Sequence, residues 1–267
     1  MSLHLKPPFR EVIRGSSRPL YGGWITTGSP VAAEIMAGSG LDWVLIDMEH
    51  APNGLESTLA QLYAVSGYDV TPVVRVPVAD PVIIKQVLDL GAQNILVPMI
   101  STAAQARDVA EAAQYPPMGR RGVGSALARS ARWNRVENYL ENATDHVSVV
   151  VQIESTDAVG NARAIAETPG IDGVFVGPSD LAASMGLLGR QTHPDVVAAV
   201  KETFAQVAAT GIPFGVNAFV PDQADEYVRD GAEFVLVGAD AALLARGSED
   251  LAHRYITRPG QTPRTSY

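Results

Sequence analysis

Eight short runs of β-branched and apolar residues recur along the chain, each followed by a polar or glycine-containing turn and then a helical pattern. They are Tyr21 to Thr26, Trp43 to Glu49, Pro72 to Val76, Asn94 to Met99, Val147 to Ile153, Gly173 to Val176, Pro213 to Val216 and Glu233 to Val237. Eight such units in 267 residues predict an α/β chain folded as one (β/α)8 barrel, with a short N-terminal extension and a flexible tail from Arg258 to Tyr267. An open doubly wound sheet would want a glycine-rich phosphate turn after its first strand, and Thr26-Thr27-Gly28-Ser29-Pro30 is not one. Punctuation between units agrees with the count. Gly40, Gly91, Gly170 and Gly231 each stand just before a strand, where glycine can close a helix in the left-handed conformation. Asp80-Pro81 opens a helix with a side-chain acceptor followed by proline. One connection breaks the rhythm, Ser101 to His146: Ala103 to Ala113 reads as a helix, and Tyr115 to Asn134 is rich in Gly, Pro and Arg.

In barrels of this kind the site lies at the carboxyl ends of the strands, so polar residues there are the informative ones. The second strand ends in Asp47, Glu49 and His50, the third carries Arg75, the fifth ends in Gln152 and Glu154, and the sixth runs into Gly177, Pro178, Ser179 and Asp180. The first, fourth and eighth strands end in less reactive material. Period-two alternation on the fifth strand sends Val147, Val149, Val151 and Ile153 outward and aims Ser148, Val150, Gln152 and Glu154 into the barrel. Glu154 can cap the following helix or pair with an arginine. With Asp180 at the neighbouring strand end, two carboxylates also converge at one rim, a situation relieved by a raised pKa or a metal ion. Oxygen donors without cysteine or clustered histidine suit a hard divalent cation. Of five histidines, only His50 stands at a strand's carboxyl end. Arg75, inside an apolar strand, needs an anionic partner, either Asp47 or Glu49, or a substrate oxygen. Asp47 is the nearest candidate to orient His50.

Composition removes several chemistries. Of 20 basic residues only Lys6, Lys85 and Lys201 are lysines, and none falls at a strand end where an imine could form. Without cysteine there is no thiolate nucleophile or disulfide. A net charge of -9 argues against a nucleic-acid surface. No signal peptide or membrane-length apolar run is apparent, so a soluble cytoplasmic protein is expected, with no membrane partner.

The strings LIDMEHAPN, PVVRVP, GAQNILVPMI, RRGVGSALARSARWN, VQIES and GVFVGPSDLAASMG resemble the HpcH/HpaI aldolases, and the similarity runs from about Arg14 to about Leu251. These are metal-dependent class II pyruvate aldolases of the phosphoenolpyruvate/pyruvate barrel superfamily. The resemblance implies reversible cleavage of a 4-hydroxy-2-oxo acid, such as 4-hydroxy-2-oxoheptanedioate or a 2-keto-3-deoxy sugar acid, into pyruvate and an aldehyde. It implies that Glu154 and Asp180 bind Mg²⁺, Mn²⁺ or Co²⁺, that Gln152 and the Gly177-Pro178-Ser179-Asp180 turn hold pyruvate, that His50 is the acid/base group, and that Arg75 stabilises the enolate. It further gives Asp89 the task of raising the basicity of the histidine, through a neighbouring subunit of a homohexamer. One stretch departs from the pattern: Gly215-Val216-Asn217-Ala218-Phe219 replaces a more aliphatic turn where the aldehyde should sit. Two other readings stay open: an acyl-CoA lyase using Arg129, Arg132 and Arg135 at the mouth, and a keto-acid-binding barrel without catalysis.

Overall fold

A computed structural model of the chain describes residues 3–256; the tail expectation for Arg258 to Tyr267 lies outside the described residues. Eight parallel strands close in sequence order: β1 (Leu20–Ile25), β2 (Trp43–Asp47), β3 (Thr71–Arg75), β4 (Asn94–Val97), β5 (Ser148–Ile153), β6 (Gly173–Val176), β7 (Phe214–Asn217) and β8 (Phe234–Ala239). Helices α2 (Pro30–Ala37), α3 (Leu55–Ala64), α4 (Pro81–Asp89), α5 (Ala103–Ala113), α6 (Thr156–Gly160), α7 (Ala162–Ala166), α8 (Pro178–Ser184), α9 (Pro194–Ala208), α10 (Pro221–Arg229) and α11 (Asp240–Tyr255) follow the strands, and α1 (Phe9–Gly15) precedes them. This is the (β/α)8 barrel that the alternation predicts. Among the described residues no helix is long and apolar enough to cross a membrane.

The period-two assignment of β5 holds. Val149, Val151 and Ile153 belong to the apolar shell between strands and helices, while Val150 packs inside the barrel with Leu45, Phe175 and Phe234. Asp80 caps α4 by accepting from the amides of Val82 and Ile83. The four glycines have φ of 90°, 88°, 91° and 102° at Gly40, Gly91, Gly170 and Gly231; Gly91 and Gly231 directly follow the last residues of their helices' caps, and the other two lie in the run-up to the strand.

The N-terminal extension has a structural task. Phe9 of α1 enters the barrel's interior cluster, its ring centroid 5.1 Å from Trp43 and 5.3 Å from Phe234. Its amide donates to Asn94 Oδ1 at 2.7 Å, and the amide of Arg10 donates to Ser148 Oγ at 3.0 Å. These acceptors start β4 and β5, so α1 plugs the amino-terminal end and leaves the inward polar groups of the opposite end as the reactive face.

Two strands, β2 and β4, end two residues earlier than expected. β2 stops at Asp47, whose carboxylate accepts from the Glu49 amide at 3.0 Å and turns the chain out of the sheet. β4 stops at Val97 because Pro98 has no N–H for the ladder, and Met99 takes a left-handed φ of 59°. The long connection forms α5 as predicted, and then builds a small apolar core of its own from Tyr115, Ala131, Val136, Tyr139 and Ala143.

Candidate active site

Arg75 and Asp47 stand side by side in the β2–β3 register, both facing the barrel interior near its carboxyl end. They are 5% and 1% exposed, so each would be a costly buried charge alone. Arg75 Nε donates to Asp47 Oδ1 at 2.8 Å and Nη2 donates to Oδ2 at 2.7 Å, while Nη1 lies 2.8 Å from Glu49 Oε2. The guanidinium carbon sits 4.3 Å from the Trp24 ring centroid, and Trp24 Nε1 donates to Asn217 Oδ1 at 2.8 Å. A fork of two carboxylates and an indole face thus holds one cation in place. Of its five N–H donors, two remain outside these contacts.

Across the rim, Glu154 is 3% exposed and accepts from the Met99 amide at 2.7 Å and from Gln152 Nε2. Burial, reinforced by the negative charges of Asp180 and Glu49, pushes its carboxyl up to about 7, against the lowering effect of the Met99 amide. Burial also raises Glu49, opposed by Arg75 and His50. Gly177 makes the arrangement possible: a Cβ there would stand 2.7 Å from Gln152 Nε2 and 2.9 Å from Glu154 Oε2. Proline then opens α8, placing Asp180 in its first turn, where the amides of Ser179 and Asp180 have no earlier turn to bond.

These groups fit a divalent cation. Four carboxylates, Asp47, Glu49, Glu154 and Asp180, gather around the single arginine Arg75, and their mutual repulsion adds to the burial that raises Glu154 and Glu49. Gln152 Oε1 is buried with no hydrogen-bond partner. Among the described residues no cluster of three or more His, Asp or Glu side chains forms a closed cage. Glu154 with Asp180 would leave most coordination positions open, as hard cations that keep water and substrate ligands require.

A cavity of about 370 Å³ opens over these groups, bordered by Trp24, Asp47, His50, Arg75, Gln152, Gly177, Ser179 and Asp180 and also by Asn217, Phe219, Ala241 and Ala242. His50 is solvent-exposed at its edge, Nε2 3.8 Å from Glu49 Oε2. No lysine borders it. Lys201 pairs with Glu226 at 2.5 Å and Asp230 at 3.0 Å, Lys85 lies in α4, and Lys6 bonds the Tyr68 carbonyl far down the barrel.

The structure brings together His50, Arg75, Asp47, Gln152, Gly177, Ser179, Asp180 and Glu154. Two expectations need correction. Asp47 does not orient His50, because Arg75 takes both its oxygens; the carboxylate beside His50 is Glu49. Asp89, last residue of α4, accepts from Arg121 Nη2 at 2.7 Å and is not at this rim within its own chain, which leaves the expectation of a role through a neighbouring subunit standing. Arg129 and Arg132 are likewise absent from the mouth, since they border a separate hollow with Thr71 and Asn94, at the strands' amino ends.

Sequence reading also passed over groups on the strands it judged unreactive. Trp24 has the inward parity of β1 and so was accessible to the same alternation argument. Asp240, at the start of α11, clamps the β1 loop by accepting from the amide and hydroxyl of Thr26, both at 2.8 Å, and from the Thr27 hydroxyl at 2.6 Å. Met99 contributes its backbone N–H, which no side-chain pattern announces; a left-handed non-glycine residue beside a site is strain of the kind that surrounding contacts must maintain.

The chain belongs to the HpcH/HpaI aldolase/citrate lyase family, whose model matches residues 20–247. A curated relative from Salmonella arizonae, named 4-hydroxy-2-oxo-heptane-1,7-dioate aldolase, is 48% identical over 251 residues, covering 94% of this chain and 95% of its own. Among solved structures, a HpcH/HpaI aldolase/citrate lyase family protein from Burkholderia cenocepacia J2315 superimposes with a TM-score of 0.89 at 37% identity, covering 93% of this chain and 99% of that one. Macrophomate synthase superimposes with a TM-score of 0.80 at 26% identity, over 95% and 92% of the two chains.

Proposed function

We propose that this protein reversibly cleaves a 4-hydroxy-2-oxo acid into pyruvate and an aldehyde, with 4-hydroxy-2-oxoheptanedioate or a related keto-deoxy acid as substrate. It is a carbon–carbon lyase of the class II aldolase type. One observation carries the reading: the rim combines a buried arginine with a surplus of carboxylates, and none of the three lysines borders the cavity. An imine route has no amine there, so the electrons released by C3–C4 cleavage must be stabilised by positive charge.

A divalent cation held by Glu154 and Asp180, Mg²⁺, Mn²⁺ or Co²⁺, would supply Lewis acidity toward the keto and carboxylate oxygens. Arg75 turns its two remaining N–H groups toward the oxygen that becomes the enolate, held still by Asp47 and Trp24. The amides of Ser179 and Asp180 receive the pyruvate carboxylate at the start of α8, and Gln152 positions the keto acid. His50, at the cavity edge, takes the C4 hydroxyl proton in cleavage and returns it in condensation. Asn217, Phe219, Ala241 and Ala242 border the aldehyde end. Asp89 acts on the His50 of a neighbouring copy, and α11, whose only fully buried residue is Asp240, offers Leu243, Leu244 and Leu251 to that assembly, a homohexamer in the cytoplasm.

The acyl-CoA lyase reading loses two of its three arginines, because Arg129 and Arg132 lie at the other end of the barrel. Purified chain is assayed for 4-hydroxy-2-oxo acid cleavage, for exchange of the pyruvate methyl protons with deuterium, and for borohydride trapping with pyruvate. Cleavage and exchange that vanish in EDTA and return with Mn²⁺, without a trapped adduct, are expected. Activity that survives chelation, or a covalent adduct, overturns the mechanism. Pyruvate binding without exchange identifies a barrel that binds keto acids and does no chemistry.

A further inference from the structure

We propose that the hollow at the amino-terminal end of the barrel is a second anion site, one that binds a small oxyanion such as a phosphate or carboxylate group. It encloses about 260 Å³ and lies against the starts of β3 and β4, at the opposite end from the rim cavity. His4, Lys6, Arg129 and Arg132 border it, and no Asp or Glu does, in a chain whose net charge is -9.

The two arginines are built in rather than solvated. Both are half-buried. Arg129 stacks 4.5 Å over the Tyr63 ring and donates from Nη1 to the Leu90 carbonyl at 3.1 Å, and Arg132 Nη1 donates to the Arg129 carbonyl. Gly91 admits them: a Cβ there would stand 2.7 Å from Arg132 Nη1 and 2.8 Å from Arg129 Nη1. Neither forms an ion pair with a carboxylate among the described residues, although Arg10, Arg18, Arg75 and Arg121 all do. Arg129 also hydrogen-bonds the Tyr63 side chain, and since a guanidinium carries five N–H donors, each arginine keeps donors beyond these contacts. Burial pushes both below the ordinary arginine range, and for Arg129 the nearby charge of Arg132 adds to this. Arg132, Trp133 and Asn134 are three consecutive left-handed residues, with φ of 50°, 55° and 61°, a backbone cost of the kind that accompanies functional geometry. Two desolvated, mutually repelling cations held together without a counter-ion are complementary to one small anion, to which arginine forks bond bidentately.

Calorimetric titrations in EDTA with inorganic phosphate and with malonate, on the full chain carrying Arg75→Ala, test this apart from the rim. Saturable binding of one anion per chain is expected, weakened at least about tenfold by Arg129→Gln with Arg132→Gln. Lys6→Glu, outside the barrel core, should also weaken it and decides the matter if the double variant does not fold. A preference for phosphate or for malonate identifies the head group, and either supports the site. The proposal is overturned if Arg75→Ala abolishes all anion binding, or if binding is indifferent to the Arg129, Arg132 and Lys6 changes. Absence of binding to the intact chain, as when a second copy covers the hollow, overturns it as well.

Discussion

Arg75 lies over Trp24, its guanidinium carbon 4.3 Å from the ring centroid, and Trp24 is pinned in turn by Asn217. A residue on β7 therefore reaches the β3 cation through an indole on β1. Trp24→Leu should lower kcat about tenfold with a smaller change in KM, because the stacking is worth about 1–2 kcal/mol when desolvated. Asn217→Leu should produce part of that loss, and Phe219→Ala should change aldehyde preference while leaving pyruvate proton exchange intact. Steady-state kinetics with several aldehydes, set beside exchange rates, separate these effects; equal loss of exchange in Phe219→Ala would assign that residue to the pyruvate end.

Arg75 and Asp47 should also be coupled in stability. Asp47→Asn leaves a buried guanidinium with one carboxylate, and about 3 kcal/mol of destabilisation is expected. Arg75→Met combined with Asp47→Asn should cost less than the two single changes added together, since neither charge is then left alone. Urea unfolding of the four proteins measures the coupling, and additive values would mean that water already solvates the pair.

Glu154 makes cation-free stability depend on pH in a defined direction. Its folded pKa of about 7 lies above the ordinary value of 4.5, so the folded chain retains a proton that the unfolded chain has released. The associated stability is complete below about 4.5 and is lost as pH rises through about 7. Thermal unfolding in EDTA should show this loss, and Glu154→Gln should remove it. Added Mn²⁺ should raise the Tm more at pH 8 than at pH 5, where a proton competes for Glu154. Equal shifts at both pH values would remove Glu154 from the cation site.

Asp89 is held by Arg121, whose side chain is fully buried, and it stands away from the rim of its own chain. If it serves the His50 of a neighbour, inactive Asp89→Asn and inactive His50→Ala chains should recover activity when refolded as a mixture. Each mixed contact can then unite one intact histidine with one intact aspartate. A mixture as inactive as its components would confine Asp89 to a structural role with Arg121.

The sixteen-residue α11 buries only Asp240 fully and exposes Leu243, Leu244 and Leu251 at 61%, 70% and 59%. Leu244→Glu should shift the chain to smaller species in sedimentation velocity, with little change in the secondary structure seen by circular dichroism. An unchanged sedimentation coefficient would place the subunit contacts elsewhere.

Strand count, helix punctuation and the inward parity of Gln152 and Glu154 were determined by the sequence, because they depend on local periodicity and on what glycine and proline do to the backbone. His50, Arg75 and Asp180 could be placed at one rim on the same grounds, since parallel strands bring their carboxyl ends together whatever the helices contain. The choice of partner belonged to the tertiary structure. Asp47 and Glu49 are both close to His50 along the chain, yet the β2–β3 register presents Asp47 to the fork of Arg75 and leaves Glu49 beside the histidine. The same holds for Met99, whose contribution is a backbone N–H turned by a left-handed residue, and for Arg129 and Arg132. Beyond the helix Ala103–Ala113, the connection that runs on to His146 has no period to follow, so only its packing shows that it carries these arginines to the far end of the barrel. Local pattern specifies which groups are available, whereas charge pairing and the direction of a loop are settled by contacts between residues far apart in sequence.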